Sequence, residues 1–373
     1  MQIIRYIILV LALWNMPSYL LVYFGSSFGS IASYLLSILL IGYFILSKKK
    51  YAPPLPFVLL TILYFTISGY NYSGVHDIDF FKELIRSMIV VVFSAQVIYN
   101  TTNKEIYFFL LIGALSIIIN ASIFPTANGS FAANYGRYSG FYLNPNAAGA
   151  ICIGGYALVF TIKNVKTRIL GQLIFTLGGI LTFSRTFIAI WLIISAVSIL
   201  NDRKNLIGPA VGALSILIVF SVSTFLSLNT ERFNALQSIF DSQEEVQVKT
   251  IEKDSRTETW ALYTNVILEK PFFGHGYQKL QGNHFGHRPG VHNAYLMILG
   301  ESGFIPFLIF IGIYLYVIRR SLAHIRENPT FFYLSCTIAL FLLTGHGYYD
   351  NYYNLFMTMY VYLNIQKLDK LNP

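Results

Sequence analysis

Charged residues are scarce in this sequence, and their scarcity excludes a soluble globular protein. Only 12% of the 373 residues are Asp, Glu, Lys or Arg, whereas 55% are hydrophobic. A soluble domain carries roughly 25% charged residues, so its water-exposed surface could not be built from this composition. The mean hydropathy of +0.57 and the 27 tyrosines and 31 phenylalanines instead suit a membrane protein with aromatic belts at the lipid–water interfaces.

Cysteine is also rare, and the sequence motifs of several chemistries are missing. Cys152 and Cys336 both lie within apolar runs, so we interpret them as small buried hydrophobic residues and not as a disulfide or metal pair. The chain has no CxxC, no HExxH and no GxxxxGK(S/T) loop. The motif-defined thiol, zinc-protease and P-loop nucleotide sites are therefore excluded.

Apolar runs long enough, or nearly long enough, to cross a bilayer recur along the chain. They predict an all-α polytopic membrane protein with about twelve transmembrane helices. The N-terminal run lacks a convincing cleavage site and is followed by many more spans, so we interpret it as the first helix and not as a signal peptide. The predicted spans lie near residues 4–23, 29–46, 55–70, 81–99, 106–123, 147–162, 168–183, 186–200, 206–227, 294–318, 331–345 and 352–366.

The distribution of basic residues agrees with this series of spans. If the N-terminus lies inside, most of the 26 Lys and Arg residues fall in inside loops and the short outside loops are nearly free of them, as the positive-inside rule requires. Both termini are then cytoplasmic, and the net charge of +9 mainly reflects topology. Because the basic residues are scattered over separate short loops, no continuous patch for a nucleic-acid partner is predicted.

One outside segment is long enough to form a module of its own. We divide the chain into an N-terminal membrane bundle of residues 1–227 with about nine spans, a large outside loop of residues 228–292 with short helices, and a C-terminal bundle of residues 293–373 with about three spans. Within the loop, Ser255–Glu258 fits the S-x-x-E capping box and predicts a helix. Arg256 lies four residues before Trp260, so both side chains project from the same side of that helix.

Arg185 lies between two apolar runs at the predicted outer side of the membrane. One interpretation is an interfacial arginine that reaches toward the lipid headgroups. The alternative is an arginine that points into a cavity between helices and binds an anion. The apolar sequence resumes directly afterwards, through Phe187–Trp191, and ionisable groups at membrane depth usually face the interior of a bundle. We therefore favour the cavity.

His292 opens the predicted helix that follows the large loop. A single histidine is more often structural than catalytic, but a neutral imidazole is also the natural general base near pH 7. Glu301 follows nine residues later, which predicts a position near the same helical face. His275, His284 and His287 precede His292 at irregular intervals without an acidic or thiolate ligand between them, so a lid is favoured over a zinc site.

Asn144-Pro145-Asn146 precedes another predicted span. Asn-Pro initiates turns, and the simplest interpretation is the start of a helix with Asn146 as its N-cap. These segments, taken in order, resemble the O-antigen ligase and polymerase superfamily of bacterial envelope glycosyltransferases. The resemblance rests on Gly140–Asn146, Leu181–Arg185, Arg256–Trp260 leading into Pro271–Gly276, and His292–Tyr295 with Glu301–Gly303.

The resemblance implies a GT-C-like glycosyltransferase in the bacterial inner membrane with its active site in the periplasm. The donor would be a glycan on undecaprenyl diphosphate, and the acceptor a lipid-linked glycan or lipid A–core. No metal or other cofactor is expected. A chain-length regulator and a flippase of the same pathway would be partners, and nucleic acid would not.

The resemblance also implies roles for individual residues. Arg185 and Arg256 would neutralise the departing diphosphate, for which bidentate guanidinium groups are suited. His292 would take the proton of the acceptor hydroxyl. The remaining candidates would contact substrate: Arg288, Arg137, Asn144, Asn146, Asn293 and Glu301.

Three functions remain open at this point. The first is a polymerase that joins lipid-linked repeat units, which we favour because polymerases are numerous and the chain is short. The second is a ligase that moves finished polysaccharide onto lipid A–core. The third is a transporter of lipid-linked sugar, but the sequence shows no internal repeat and its conspicuous charges gather at one face.

Overall fold

The computed structural model describes residues 1–72, 77–127, 129, 131, 135–222, 228, 256–282 and 289–371, and most of them are helical. These residues form fifteen α-helices and three short 3₁₀ helices, and no β-strand occurs among them. The helices are α1 (Gln2–Leu13), α2 (Met16–Phe24), α3 (Ser26–Leu46), α4 (Leu55–Tyr70), α5 (Asp77–Tyr99), α6 (Asn103–Ile123), α7 (Pro145–Leu158), α8 (Val165–Leu181), α9 (Arg185–Asn201), α10 (Ile207–Val222), α11 (Arg256–Glu269), α12 (Ala294–Ser302), α13 (Phe304–Ala323), α14 (Pro329–Phe341) and α15 (Tyr352–Leu371).

Several of these helices are consistent with a polytopic membrane protein. Within the described residues, four are long and apolar enough to cross a membrane, or five if the bent pair α1–α2 is one span. Four shorter apolar helices accompany them: α4, α7 with the 3₁₀ turn after it, α9 and α14. The all-α architecture agrees with the sequence, whereas the number of twelve spans and the division into two bundles and a loop stay predictions.

Two of the predicted spans are broken. The first bends by 66° between α1 and α2, where Asn15 has a left-handed φ of 53° and Pro17 lies in the next turn. The run 294–318 is interrupted at Gly303, whose φ is 80°. A Cβ at Gly303 would lie 2.0 Å from the carbonyl oxygen of Phe272, so only glycine permits this close approach of the loop. Hydropathy did not predict either break because both segments are apolar on each side of it.

Helix α7 lies at the centre of the part of the molecule that carries the candidate site. It packs against α6, α8, α9 and α14, and most of its residues are buried. Its small residues permit this packing: a Cβ at Gly155 would lie 2.0 Å from the ring of Phe175. The crowded surroundings fix the position of the N-terminus of α7, from which the candidate site is built.

Candidate active site

A cavity of about 790 Å³ opens where the first turns of several helices meet. Six of the nine residues proposed from the sequence line it: Arg137, Asn144, Asn146, Arg185, Arg256 and His292. The lining drawn from the described residues holds three arginines and no carboxylate. The cavity therefore favours an anionic ligand over a cationic one.

Arg137 connects the two turns that precede α7 and α9. Its side chain is buried, with an exposed fraction of 5%. The guanidinium donates to the carbonyl oxygen of Thr182 at 3.0 Å, to the hydroxyl of Tyr135 at 2.9 Å and to Oδ1 of Asn146 at 3.1 Å. Arg137 thus holds the turn before α9 against the first turn of α7 and adds its positive charge to the cavity lining.

Asn144, and not Asn146, is the N-cap of α7. Its Oδ1 accepts hydrogen bonds from the backbone N–H of Asn146 at 2.8 Å and of Ala147 at 3.3 Å. The expectation that Asn146 caps the helix was wrong because Pro145 occupies the first helical position, which it favours since its missing N–H is not needed there. Asn146 lies in the first turn, and both amides face the cavity.

Arg185 is the first residue of α9 and lines the cavity. The preceding residue, Ser184, caps the helix by accepting from the backbone N–H of Phe187 at 3.4 Å. Phe183 has a left-handed φ of 47°, which turns the chain sharply from α8 into α9. The turn directs the start of α9 toward the cavity, in agreement with the cavity interpretation of Arg185.

Arg256 is the first described residue of α11, the helix that the capping-box pattern predicted. Its guanidinium donates to the carbonyl oxygen of Thr344 in the loop after α14. Trp260 lies one turn later and also lines the cavity, as the four-residue spacing predicted. The hydroxyl of Tyr263 donates to the carbonyl oxygen of Pro289 at 2.5 Å and fixes the helix against the end of the loop.

His292 does not open a helix but lies one residue before the N-cap of α12. Its φ is 46°, a conformation that costs a non-glycine residue roughly 1–2 kcal/mol and that often occurs at functional sites. The N–H of Val291 donates to the carbonyl oxygen of Leu280 at 2.9 Å, and that of Ala294 to Leu342 at 2.8 Å. The neighbouring backbone is therefore held on both sides, and the exposed imidazole faces the cavity.

Three helices around the cavity begin in the same way. In each, a residue with positive φ precedes a polar N-cap: Leu143 before Asn144 in α7, Phe183 before Ser184 in α9, and His292 before Asn293 in α12. Helix N-termini carry about half a positive charge and bind phosphate groups. The first turns of α7, α9 and α11, the residue before the N-cap of α12 and three arginines line one space. Such a site can bind a diphosphate.

Asn293 and Glu301 are not brought to the cavity. Asn293 is buried and caps α12, where its Oδ1 accepts from the N–H of Tyr295 at 2.9 Å and of Leu296 at 3.2 Å. Since His292 lies before the helix, the nine-residue helical spacing does not place Glu301 on its face. Arg288, with His284 and His287, lies outside the described residues.

Glu301 instead joins the end of the large loop to α4. Its fully buried carboxyl accepts from the hydroxyl of Tyr64 at 2.5 Å, the N–H of Leu280 at 3.1 Å and the side-chain amide of Gln281 at 3.2 Å. Backbone bonds reinforce this contact, such as that from Tyr277 N–H to Ser68 O at 3.0 Å. The described contacts of Glu301 therefore hold the end of the large loop against α4.

Sequence reasoning missed the segment Leu342–His346, which follows α14. The imidazole of His346 packs on that of His292, with ring centroids 4.8 Å apart and planes inclined by 38°. Burial and the neighbouring charge of His292 lower the pKa of His346 to about 4, so the ring is neutral near pH 7. A histidine between Gly345 and Gly347, directly after an apolar run, was the signal available in the sequence.

The described residues contain no group of three or more His, Cys, Asp or Glu side chains that could hold a metal ion. His275 is not directed toward a ligand cluster: its Nε2 lies against the carbonyl oxygen of Val266. The polar groups of the described cavity lining are guanidinium, amide, hydroxyl and imidazole groups, which suit a diphosphate and a sugar.

A comparison with protein families supports the resemblance noted in the sequence. Residues 170–311 match the family model described as O-antigen ligase. The matched region contains Arg185, Arg256 and His292, whereas Arg137, Asn144 and Asn146 precede it. No curated protein matches the chain with significant similarity.

Proposed function

We propose that this protein is a membrane glycosyltransferase that polymerises undecaprenyl-diphosphate-linked repeat units, a function supported by the match of residues 170–311 to the family model described as O-antigen ligase. The observation that carries the proposal is the meeting of Arg185, Arg256 and Arg137 with His292 beside the first turns of α7, α9 and α11. Fixed cations and helix dipoles stabilise a departing diphosphate most strongly when they are already in place before the reaction.

The transfer is a substitution at the anomeric carbon of the donor glycan. His292 takes the proton of an acceptor hydroxyl as that oxygen forms a bond to the anomeric carbon. The bond from this carbon to the diphosphate oxygen breaks, and its electron pair stays on the diphosphate. Arg185 and Arg256 neutralise the new charge, since a guanidinium can donate two parallel hydrogen bonds to phosphate oxygens. Arg137 adds a third positive charge behind them.

The lining of the cavity also changes from polar to apolar along α9. Arg185 and Thr186 at the start of the helix are followed by Ala189, Ile190 and Ile193, and the facing wall carries Leu340 and Leu343. A ligand that fits both parts has a charged head and an apolar tail. The isoprenoid of the donor would lie along the apolar wall, where it stays in the bilayer while the diphosphate reaches the arginines.

The site belongs on the periplasmic side of the inner membrane in this proposal, with both termini in the cytoplasm. The support is the positive-inside pattern, in which Lys48–Lys50 and Arg203–Lys204 lie in inside loops. Lipid-linked repeat units would be delivered there by a flippase, and a chain-length regulator would act on the growing polymer. No metal or other cofactor takes part.

The ligase is the second candidate, because the matching family model is described as O-antigen ligase. Both functions use the same donor and the same bond-breaking step, and they differ in the acceptor. A ligase would transfer the finished polysaccharide to lipid A–core, whereas a polymerase would transfer the growing chain to the next lipid-linked unit.

Deletion of the gene distinguishes these functions in the banding pattern of the lipopolysaccharide. Loss of polymerase activity leaves core plus a single repeat unit. Loss of ligase activity leaves core without antigen, and lipid-linked polymer accumulates. A deletion strain with an unchanged ladder and unchanged lipid-linked intermediates would contradict glycan transfer as the function.

A further inference from the structure

The segment Leu342–His346 contacts three parts of the candidate site from behind. The carbonyl oxygen of Leu342 accepts the N–H of Ala294, at the start of α12, at 2.8 Å. The carbonyl oxygen of Thr344 accepts the guanidinium of Arg256. The ring of His346 lies against the ring of His292. One short segment thus fixes a helix start, a cation and an imidazole.

His346 lies against His292 and outside the described lining of the cavity. The described lining of the cavity includes His292 and Thr344 but not His346. The ring of His346 is also closely enclosed: a Cβ at Gly290 would lie 2.7 Å from its Cε1 and 2.6 Å from the carbonyl oxygen of Gln281. The absence of a side chain at Gly290 therefore makes room for His346 directly beside the backbone that leads into His292.

We propose that His346 is a positioning residue whose ring keeps the imidazole of His292 turned toward the cavity. This inference rests on the proposed glycosyltransferase function. The left-handed backbone of His292 fixes the direction of its Cα–Cβ bond, and the side-chain torsions then set the direction of the ring. The face of His346 limits that rotation on the side away from substrate.

The neutral state of His346 matters for the uptake of a proton by His292. A cation packed on His292 would oppose the uptake of a proton from the acceptor hydroxyl, because a neighbouring positive charge disfavours the protonated form of an imidazole. Burial keeps His346 uncharged near pH 7, so the ring provides contact without that repulsion.

Two substitutions of His346 distinguish a role of its ring in packing from a role of its nitrogen atoms. His346→Ala removes the ring, and we expect the turnover number to fall by on the order of 10- to 100-fold, the effect of a misplaced catalytic group. The KM for the lipid-linked donor stays within about twofold because the arginines and helix N-termini remain. His346→Phe restores a flat ring, and we expect turnover within about fivefold of the natural protein.

The assay uses the full-length protein in proteoliposomes with its lipid-linked repeat unit. Binding of undecaprenyl diphosphate, followed by tryptophan fluorescence in a Trp14→Phe, Trp191→Phe background that leaves Trp260 as the single reporter, shows whether the cavity is intact in each variant. His324→Ala is the control, because His324 lies at the far end of α13 and bonds to Asp369 at 2.9 Å. We expect the control to keep full turnover.

The outcomes distinguish this inference from the function on which it rests. Transfer by the natural protein with unchanged turnover in His346→Ala overturns the positioning role alone. Equal losses of turnover in His346→Ala and His346→Phe, with diphosphate binding intact, also overturn it. Turnover would then depend on the nitrogen atoms of His346 and not on the packing of its ring. Absence of transfer by the natural protein overturns the proposed function itself.

Gly290 offers an independent test that leaves His346 in place. Gly290→Ala must displace the backbone of Gln281 or the ring of His346, so we expect it to lower turnover in the same way as His346→Ala. Gly345→Ala is the matched control, since no atom lies within 4 Å of its Cβ position. Equal activity of Gly290→Ala and Gly345→Ala would contradict the role of the close packing around His346.

Discussion

At the scale of single residues, the cavity combines groups whose charges and geometry are held by the backbone. Arg137 and Arg256 both donate to carbonyl oxygens of turns, Thr182 and Thr344. A guanidinium has five donors in a flat fork, so it can bond to a turn and still offer N–H groups to a phosphate. Lysine, with a single ammonium group on a flexible stem, cannot serve both partners with the same geometry.

Arg256→Lys is therefore expected to be strongly impaired although it keeps the charge. We expect the rate of glycan transfer to fall by on the order of 10²-fold, the effect of one lost donor at a developing anion. The measurement is transfer from the lipid-linked donor in proteoliposomes. Arg203→Lys, at an exposed position between α9 and α10 and outside the described cavity lining, is the control. Full activity of Arg256→Lys would show that Arg256 only supports the fold.

We expect substitution of His292 to remove the proposed general base without disturbing the fold. His292→Asn is the preferred variant because asparagine adopts the left-handed backbone conformation more readily than most residues. We expect transfer to fall by on the order of 10²- to 10⁴-fold, the usual contribution of general base catalysis. The level of membrane-inserted protein and the binding of undecaprenyl diphosphate should not change. Near-normal transfer by this variant would refute the role of His292.

At the scale of helices, the sequence predicted where most elements lie but not how their ends are built. The span predicted from hydropathy for α4 matches the helix, and most other predicted ends lie within a few residues of the observed ones. The agreement arises because the length of an apolar run limits the length of the helix that it forms. The N-terminal geometry depends on single residues, such as Asn144 in place of Asn146 and the left-handed His292 before its cap. Hydropathy is averaged over many residues, so it contains no information about these positions.

The same limit explains which site residues were predicted. Motif order identified Arg185, Arg256 and His292, and the structure brings them to one cavity. Glu301 was linked to His292 by helical spacing, which does not apply across a helix start. His346 was missed because its contact with His292 joins residues far apart in the chain, and a single sequence does not reveal such a contact.

Substitutions at the N-terminus of α7 can separate an effect on protein stability from an effect on anion binding. Asn144→Asp keeps a good N-cap but places a negative charge in the cavity. We expect the melting temperature to be maintained and the affinity for undecaprenyl diphosphate to fall by on the order of tenfold, because like charges a few ångströms apart repel by about 1 kcal/mol or more. Asn144→Ser, an equally suitable but neutral cap, is the control. Equal affinities of the two variants would contradict a diphosphate beside α7.

At the scale of the whole molecule, the orientation in the membrane can be tested by thiol labelling. Cys152 is fully buried and Cys336 is half-buried within α14, so the natural protein should react little. We expect Glu258→Cys, at an exposed position on α11, to react with a membrane-impermeant reagent added to intact spheroplasts. Lys204→Cys should react only after the membrane is opened. The reverse pattern would place α11 in the cytoplasm and remove the proposed site from its substrate.

The position of Leu342–His346 in the chain also determines when the enzyme can become active during its synthesis. Arg137, Arg185, Arg256 and His292 all leave the ribosome earlier than this segment does. Until it follows α14 into place, Arg256 and the start of α12 lack the carbonyl oxygens that hold them. Under the proposed function, a nascent chain that already contains these three arginines and His292 is thus still incomplete, and we expect activity to begin only with insertion of the C-terminal helices.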